Sequence, residues 1–158
     1  MHRILRVVID TNHIISAILS ARGASARLID WMTRDEDYFQ LLLSEPIWQE
    51  YTTVAGWLVP PSRHSEKDRI MQTLRFQAEW IEPGLRLDVC PDSNDNRFLE
   101  CAVAGNADFL VTKNIRHFPY KIYENVKIVR IKKFLDALEA LAKKNDITIN
   151  GNRQDGVR

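Results

Sequence analysis

Cysteine is nearly absent: Cys90 and Cys101 are the two that the 158 residues contain. They lack the number and spacing of a disulfide framework or a zinc site. Cys101 falls on an apolar helical face, which suits a buried thiol. No apolar run approaches the roughly 20 residues of a membrane-spanning helix. Residues 1–10 are broken by Arg3 and Arg6 too soon to read as a secretory signal, and we read them as a strand. An excess of one charge is also missing. Twenty-two basic residues face 21 acidic ones, a net charge of +1, which argues against a nucleic-acid coat protein or a membrane-surface binder. An enzyme that touches a few phosphates remains compatible with that balance. Repeats, low-complexity segments, the P-loop and the Rossmann glycine pattern are all lacking. What remains, 45% hydrophobic and 27% charged, is an ordinary globular mixture. Its length fits one domain with a real core. The profile predicts a cytoplasmic protein, with one globular domain over residues 1–143 and a polar, frayed or extended tail over 144–158.

Hydrophobic periodicity alternates between strand and helix. Val7-Val8-Ile9 is a β-branched run suited to a strand buried on both faces. Helices are expected from Ile14 to Leu19 and, after Arg22-Gly23, on to Met32. Phe39 to Leu43 reads as a strand, and Ser44-Glu45-Pro46 starts a helix with Ile47, Tyr51, Val54 and Leu58 on one face. Pro60-Pro61 closes that region. An amphipathic helix follows from Ser65 to Trp80, then a short strand from Leu85 to Val89 and a turn from Pro91 to Asn94. Phe98, Leu99, Ala102 and Val103 mark a helix that Gly105 stops. Strands over Phe109 to Thr112 and Val126 to Val129 precede a closing helix carrying Phe134, Leu135, Leu138 and Leu141. This alternation predicts an α/β fold, a three-layer α/β/α sandwich around a central parallel sheet. Right-handed crossovers put the strand C-termini along one edge, where chemistry gathers in such sheets.

Three acids from distant positions map to that edge. Asp10 directly follows Val7-Val8-Ile9. A helix N-cap is its plain structural role, but Asn12 offers an equally good cap. Glu50 lies three residues after Ile47 and four before Val54, on or beside a buried stripe. There a carboxylate costs free energy unless paired with a base or bound to a cation. Glu45, in the first turn, is explained by the helix dipole alone. Asp95 shares the face of Phe98 and Leu99 at the start of its helix; the dipole explains it too, and Asp92 is its neighbour. Thr112 and Asn114 emerge after the second buried strand, where turn chemistry accounts for them as well. Clustered carboxylates repel one another, and a hard divalent cation removes that cost. Such an ion lowers the pKa of water and favours in-line attack on a phosphodiester.

These segments resemble the PIN-domain family, specifically the bacterial PIN proteins that are toxin components of toxin–antitoxin systems (VapC-like ribonucleases). The resemblance spans about residues 4–135. It is carried by Val8-Ile9-Asp10-Thr11-Asn12, by Leu43-Ser44-Glu45-Pro46-Ile47 leading to Glu50, by Pro91-Asp92-Ser93-Asn94-Asp95-Asn96-Arg97-Phe98-Leu99, and by Ala107-Asp108-Phe109-Leu110-Val111-Thr112-Lys113-Asn114 continuing to His117-Phe118. It implies Mg²⁺- or Mn²⁺-dependent endoribonuclease activity with metal ligands at Asp10, Glu50 and Asp95. Asn114 stands where the best-known nucleases of this type carry a fourth acid. An amide there still reaches water or phosphate, but adds no charge for a second metal ion. The resemblance also implies a homodimer and a cognate antitoxin.

Asn12, Thr112, Lys113, Arg116 and His117 form the expected substrate-contacting set, with Lys121 nearby. A solvated basic loop explains the last of these equally well. Trp31, Trp48, Trp57 and Trp80 can stack bases, but core or dimer packing is their plainer use. A haloacid-dehalogenase-like phosphatase needs an aspartate at the position of Asn12. A response-regulator receiver needs an acid where the strand from Leu41 ends in Ser44. The remaining alternative is a degenerate PIN module that binds RNA or a partner protein without cleaving.

Overall fold

The computed structural model describes residues 3–155. At its centre is β1 (Leu5–Ile9), whose Val7, Val8 and Ile9 are wholly buried. It pairs in parallel with β2 (Phe39–Leu43) on one side and β4 (Phe109–Val111) on the other. Beyond β2 lies β3 (Glu79–Trp80), and beyond β4 lies β6 (Val126–Val129), both parallel. The edge strand β5 (Ile122–Tyr123) runs antiparallel to β6, giving the order β3-β2-β1-β4-β6-β5. Helices α1 (Thr11–Leu19), α2 (Ala24–Met32), α3 (Glu45–Leu58), α4 (His64–Gln77), α5 (Asp95–Ala104) and α6 (Ile131–Asp155) cover the sheet as a three-layer α/β/α sandwich. From β1 the chain winds outward to β2 and β3, then returns to place β4 on the other flank of β1. The strand order therefore reverses between β1 and β4, the point where doubly wound sheets open a crevice at their strand C-termini.

The central sheet is parallel as expected, from β3 through β6, and only the edge strand β5 runs antiparallel. The cause is a two-residue turn between β5 and β6, in which Glu124 and Asn125 take φ values of 48° and 70°. Two successive left-handed residues form the tight hairpin connection that matches strand twist. The expected strand from Leu85 to Val89 is absent. Its amides find side-chain partners instead: Leu87 N donates to Glu100 Oε2 at 3.2 Å, and Val89 N and Cys90 N to Asn96 Oδ1 at 3.0 and 2.9 Å. The strand in this region lies earlier, at Glu79–Trp80, because α4 ends at Gln77 and releases the chain beside Leu42 and Leu43.

Three further expectations need correction. Asp10, not Asn12, caps α1, which begins at Thr11, and Asn12 is exposed within the helix. The buried stripe of α3 is Ile47, Tyr51 and Ala55, while Leu58 is exposed. The polar stretch from Lys144 is helical rather than extended, continuing α6 through Asp155, and the remainder of the expected tail, 156–158, lies outside the described residues. Asn145 Nδ2 helps by donating to Glu36 Oε2 at 2.8 Å. Gly105 ends α5 as expected, though through space rather than a left-handed backbone: a Cβ there would lie 2.7 Å from Leu42 Cδ1. The left-handed residue is Asn106, at φ 51°.

Candidate metal centre

Asp10 stands at the end of β1, with its own amide donating to Val111 O at 2.9 Å. It is 7% exposed, and both its oxygens are held. Oδ1 accepts from Thr11 N at 2.8 Å, the N-cap bond of α1. Oδ2 accepts from the Thr112 hydroxyl at 2.6 Å, across the point where the strand order reverses. That hydroxyl in turn accepts from Asn114 N at 3.0 Å. Thr112 is fully buried with its hydroxyl engaged on both sides, so it orients Asp10 and does not face solvent. Capping and site geometry here reinforce each other.

Glu50 is half-buried on α3, beside the wholly buried Tyr51. The Tyr51 hydroxyl donates to Ile9 O, which ties this turn of α3 to the end of β1. The Thr11 hydroxyl donates to Glu50 Oε2. The sequence reading missed Thr11; its position directly after the strand-end acid was the available signal. Burial raises the Glu50 pKa from its ordinary value. Thr11 opposes that rise, and the charges of Asp10, Asp95 and Asp92 add to it.

Asp95 opens α5, which packs against β1, β2 and β4. Burial raises its pKa, helped by Asp10 and Asp92 and opposed by His117. Its Oδ2 is buried without a hydrogen-bond partner. His117 Nδ1 approaches that oxygen to 3.3 Å without satisfying it. Burial, helped by the charges of Asp95 and Asp92, pushes the Cys90 thiol up to about 11.

The structure thus brings Asp10, Glu50 and Asp95 into one electrostatic neighbourhood, with Asp92 as a fourth charge. Among the described residues, no three His, Cys, Asp or Glu side chains already close into a metal cage. Asn114 is half-buried beside Thr112. Lys113 is exposed, its ammonium donating to Ser16 Oγ at 2.8 Å, and Arg116 is exposed in the short 3₁₀ turn Ile115–His117. Asn12 is exposed two residues beyond the Asp10 cap. The carboxylate donors are all oxygens, and Asp95 Oδ2, buried without a hydrogen bond, lies between His117 and like charges. That chemistry fits a hard divalent cation.

Fold and site together define an α/β protein with an acidic, oxygen-donor crevice at the switch point of its sheet. The family model described as PIN domain matches residues 6–116, and the chain belongs to that family. No curated protein matches it significantly. Among solved structures it is similar to VapBC2 from Rickettsia felis bound to a DNA fragment from their promoter, at 16% identity and TM-score 0.51, covering 80% of this chain and 98% of that one. It is also similar to VapBC-1 from nontypeable Haemophilus influenzae, at 15% identity and TM-score 0.54, covering 81% and 99%. Among the described residues, no helix is long and apolar enough to cross a membrane.

Proposed function

We propose that this PIN-domain protein is a Mg²⁺-dependent endoribonuclease (Mn²⁺ being the alternative ion), the toxin of a cytoplasmic toxin–antitoxin pair. The observation that carries this reading is the buried Asp95 Oδ2, which makes no hydrogen bond and has His117 Nδ1 at 3.3 Å, held in the field of Asp10 and Asp92. A folded chain keeps such a carboxylate at a cost unless a cation relieves it. Asp10, Glu50 and Asp95 would hold the ion. Once bound, the ion supplies charge neutralisation at the scissile phosphate and an activated water.

The chain's own residues set the stage for that step. Thr112 fixes the rotamer of Asp10, and Thr11 fixes that of Glu50. Asn114 presents an uncharged amide to the phosphate or to water. Lys113, Arg116 and His117, with Asn12 on α1, hold the RNA backbone, and the basic side chains offset the acidic crevice. The similar Rickettsia and Haemophilus structures are VapBC assemblies; by analogy this chain takes a cognate antitoxin and forms a homodimer.

A second reading, a PIN module that binds RNA without cutting, is favoured by Asn114, an amide in place of a fourth acid. Incubation of the purified protein with structured RNA and Mg²⁺, beside Asp10→Asn, separates the two. The nuclease reading expects cleavage by the wild type and none by the variant. Equal cleavage by both identifies a contaminant. Intact RNA with retained binding establishes the non-cleaving module.

A further inference from the structure

Packing accounts for three of the four tryptophans. Trp31 is buried, edge-on to Tyr38 at 5.5 Å and covered by the Arg34 guanidinium at 3.5 Å. Trp48 and Trp80 form an edge-to-face pair at 6.0 Å, and Trp80 Nε1 donates to Arg75 O at 3.4 Å. Trp57 differs. It is 76% exposed, and among the described residues no ring, cation or hydrogen bond engages its indole.

One exposed tryptophan is unremarkable alone. Its location is informative. Trp57 lines a groove of about 500 Å³ that also contains Glu50, one of the site's own acids, and this size falls within the roughly 300–1,000 Å³ of ligand clefts. Glu50 and Trp57 are seven residues apart on α3, which puts them on one helix face about 10 Å apart along the axis. Gln49 and Thr53 follow the same face, while Asn94 and Arg97 form the facing wall. Arg97 is anchored by Glu100, at 3.0 Å from its Nη1, and its remaining guanidinium donors are suited to phosphate.

We propose that this groove is a single-stranded RNA subsite, in which an unpaired base stacks on Trp57 within about three nucleotides of the cleaved phosphate. The proposal rests on the nuclease reading above. Continuity with Glu50 selects RNA as occupant, because a strand crossing the acidic crevice must leave along α3 or past the basic turn at Ile115–His117. An indole face accepts any base, and the amides of Gln49 and Asn94 offer both donors and acceptors to a base edge. Stacking requires a base free of its partner, so the subsite confers a preference for loops over duplex.

The test uses a labelled hairpin RNA with an unpaired loop and a fully paired RNA of equal length. With Mg²⁺, Trp57→Ala is expected to raise KM for the loop RNA about tenfold or more, with kcat within about twofold. Trp57→Phe, which keeps a ring, is expected near wild type. Without cleavage, the loop RNA should quench tryptophan fluorescence in Asp10→Asn, and the quench should vanish when Trp57→Phe is added. This second readout decides the matter even where Trp57→Ala folds poorly. An unchanged KM in Trp57→Ala overturns the subsite and leaves the nuclease standing. So does an unchanged KM accompanied by a shift in sedimentation, which identifies the groove as a seam between proteins. Quenching that depends on Trp57 with no cleavage by any variant overturns the nuclease reading, and with it a subsite defined by a cleaved phosphate, and identifies a non-cleaving RNA groove. Absence of both overturns both.

Discussion

At the scale of single residues, two polar side chains carry more than their sequence context discloses. Asp10 was legible because a β-branched run delivers it to a strand end. Its double engagement was not, since Thr112 lies a hundred residues away and only the β1–β4 pairing brings the two together. A hydrogen bond that holds a metal-binding carboxylate in place orients it towards the ion, and its loss costs about 10–100-fold in metal affinity. Thr112→Val should therefore weaken Mg²⁺ binding by that range in calorimetry, with the circular dichroism spectrum unchanged; undiminished affinity removes Thr112 from its orienting role. His13 is the other case. Sequence shows only a histidine in an apolar helix, whereas the structure buries it, with Nδ1 2.9 Å from Ser25 Oγ and Nε2 unpartnered. Burial, reinforced by the charge of Lys113, lowers its pKa to about 4. At pH above 6.5 both folded and unfolded chains hold it neutral, so it costs nothing. As pH falls below 6.5 the unfolded chain gains the proton first, and stability drains away towards pH 4, by about 3 kcal/mol at most. An NMR titration of the His13 ring should show its midpoint near 4; a midpoint near 6.5 sinks this account.

At the scale of elements, the strong periodic runs were readable, and the errors fall where partners far along the chain decide. The run from Leu85 to Val89 has strand composition, but side chains of α5 take up its amides in place of a neighbouring strand. Asn96 supplies the alternative: 1% exposed, it accepts from two consecutive backbone amides through one oxygen. Nothing in the sequence distinguishes that asparagine from an ordinary first-turn polar residue. The same clamp holds the segment that leads into Asp92 and Asp95. Asn96→Ala strands two amides, at about 1–3 kcal/mol each when they stay buried. Urea unfolding should show a loss of about 2–4 kcal/mol, with faster hydrogen exchange at residues 87–92. A loss under about 0.5 kcal/mol would show that this loop holds its shape unaided. The antiparallel β5 was missed for a related reason. Glu124-Asn125 is a weaker hairpin signal than an asparagine–glycine pair, because a glutamate in the left-handed region is strained.

At the scale of the whole molecule, the fold gathers three carboxylates from distant parts of the PIN domain, and His117, 3.3 Å from Asp95 Oδ2, is the one base beside them among the described contacts. Burial raises the pKa of Glu50 and of Asp95, and the neighbouring acids raise both further. The sign follows. A carboxyl whose folded pKa is raised favours the folded chain below its ordinary pKa, and that benefit is lost as pH climbs through the raised value. At neutral pH the metal-free protein therefore holds these charges at a cost, and a divalent ion relieves it. Mg²⁺ at ten times its dissociation constant stabilises a folded chain by about 1.4 kcal/mol, which is about 3–6 °C in Tm for a chain of this size. Protons compete for the same oxygens, so the shift should shrink as the buffer is taken from pH 7.5 towards pH 5. Asp10→Asn removes one ligand and part of the repulsion together, so its metal-free form should respond little to Mg²⁺ at either pH. Equal Mg²⁺ shifts in wild type and Asp10→Asn would separate the ion from Asp10 and leave the crowding of acids at this edge without its physical explanation.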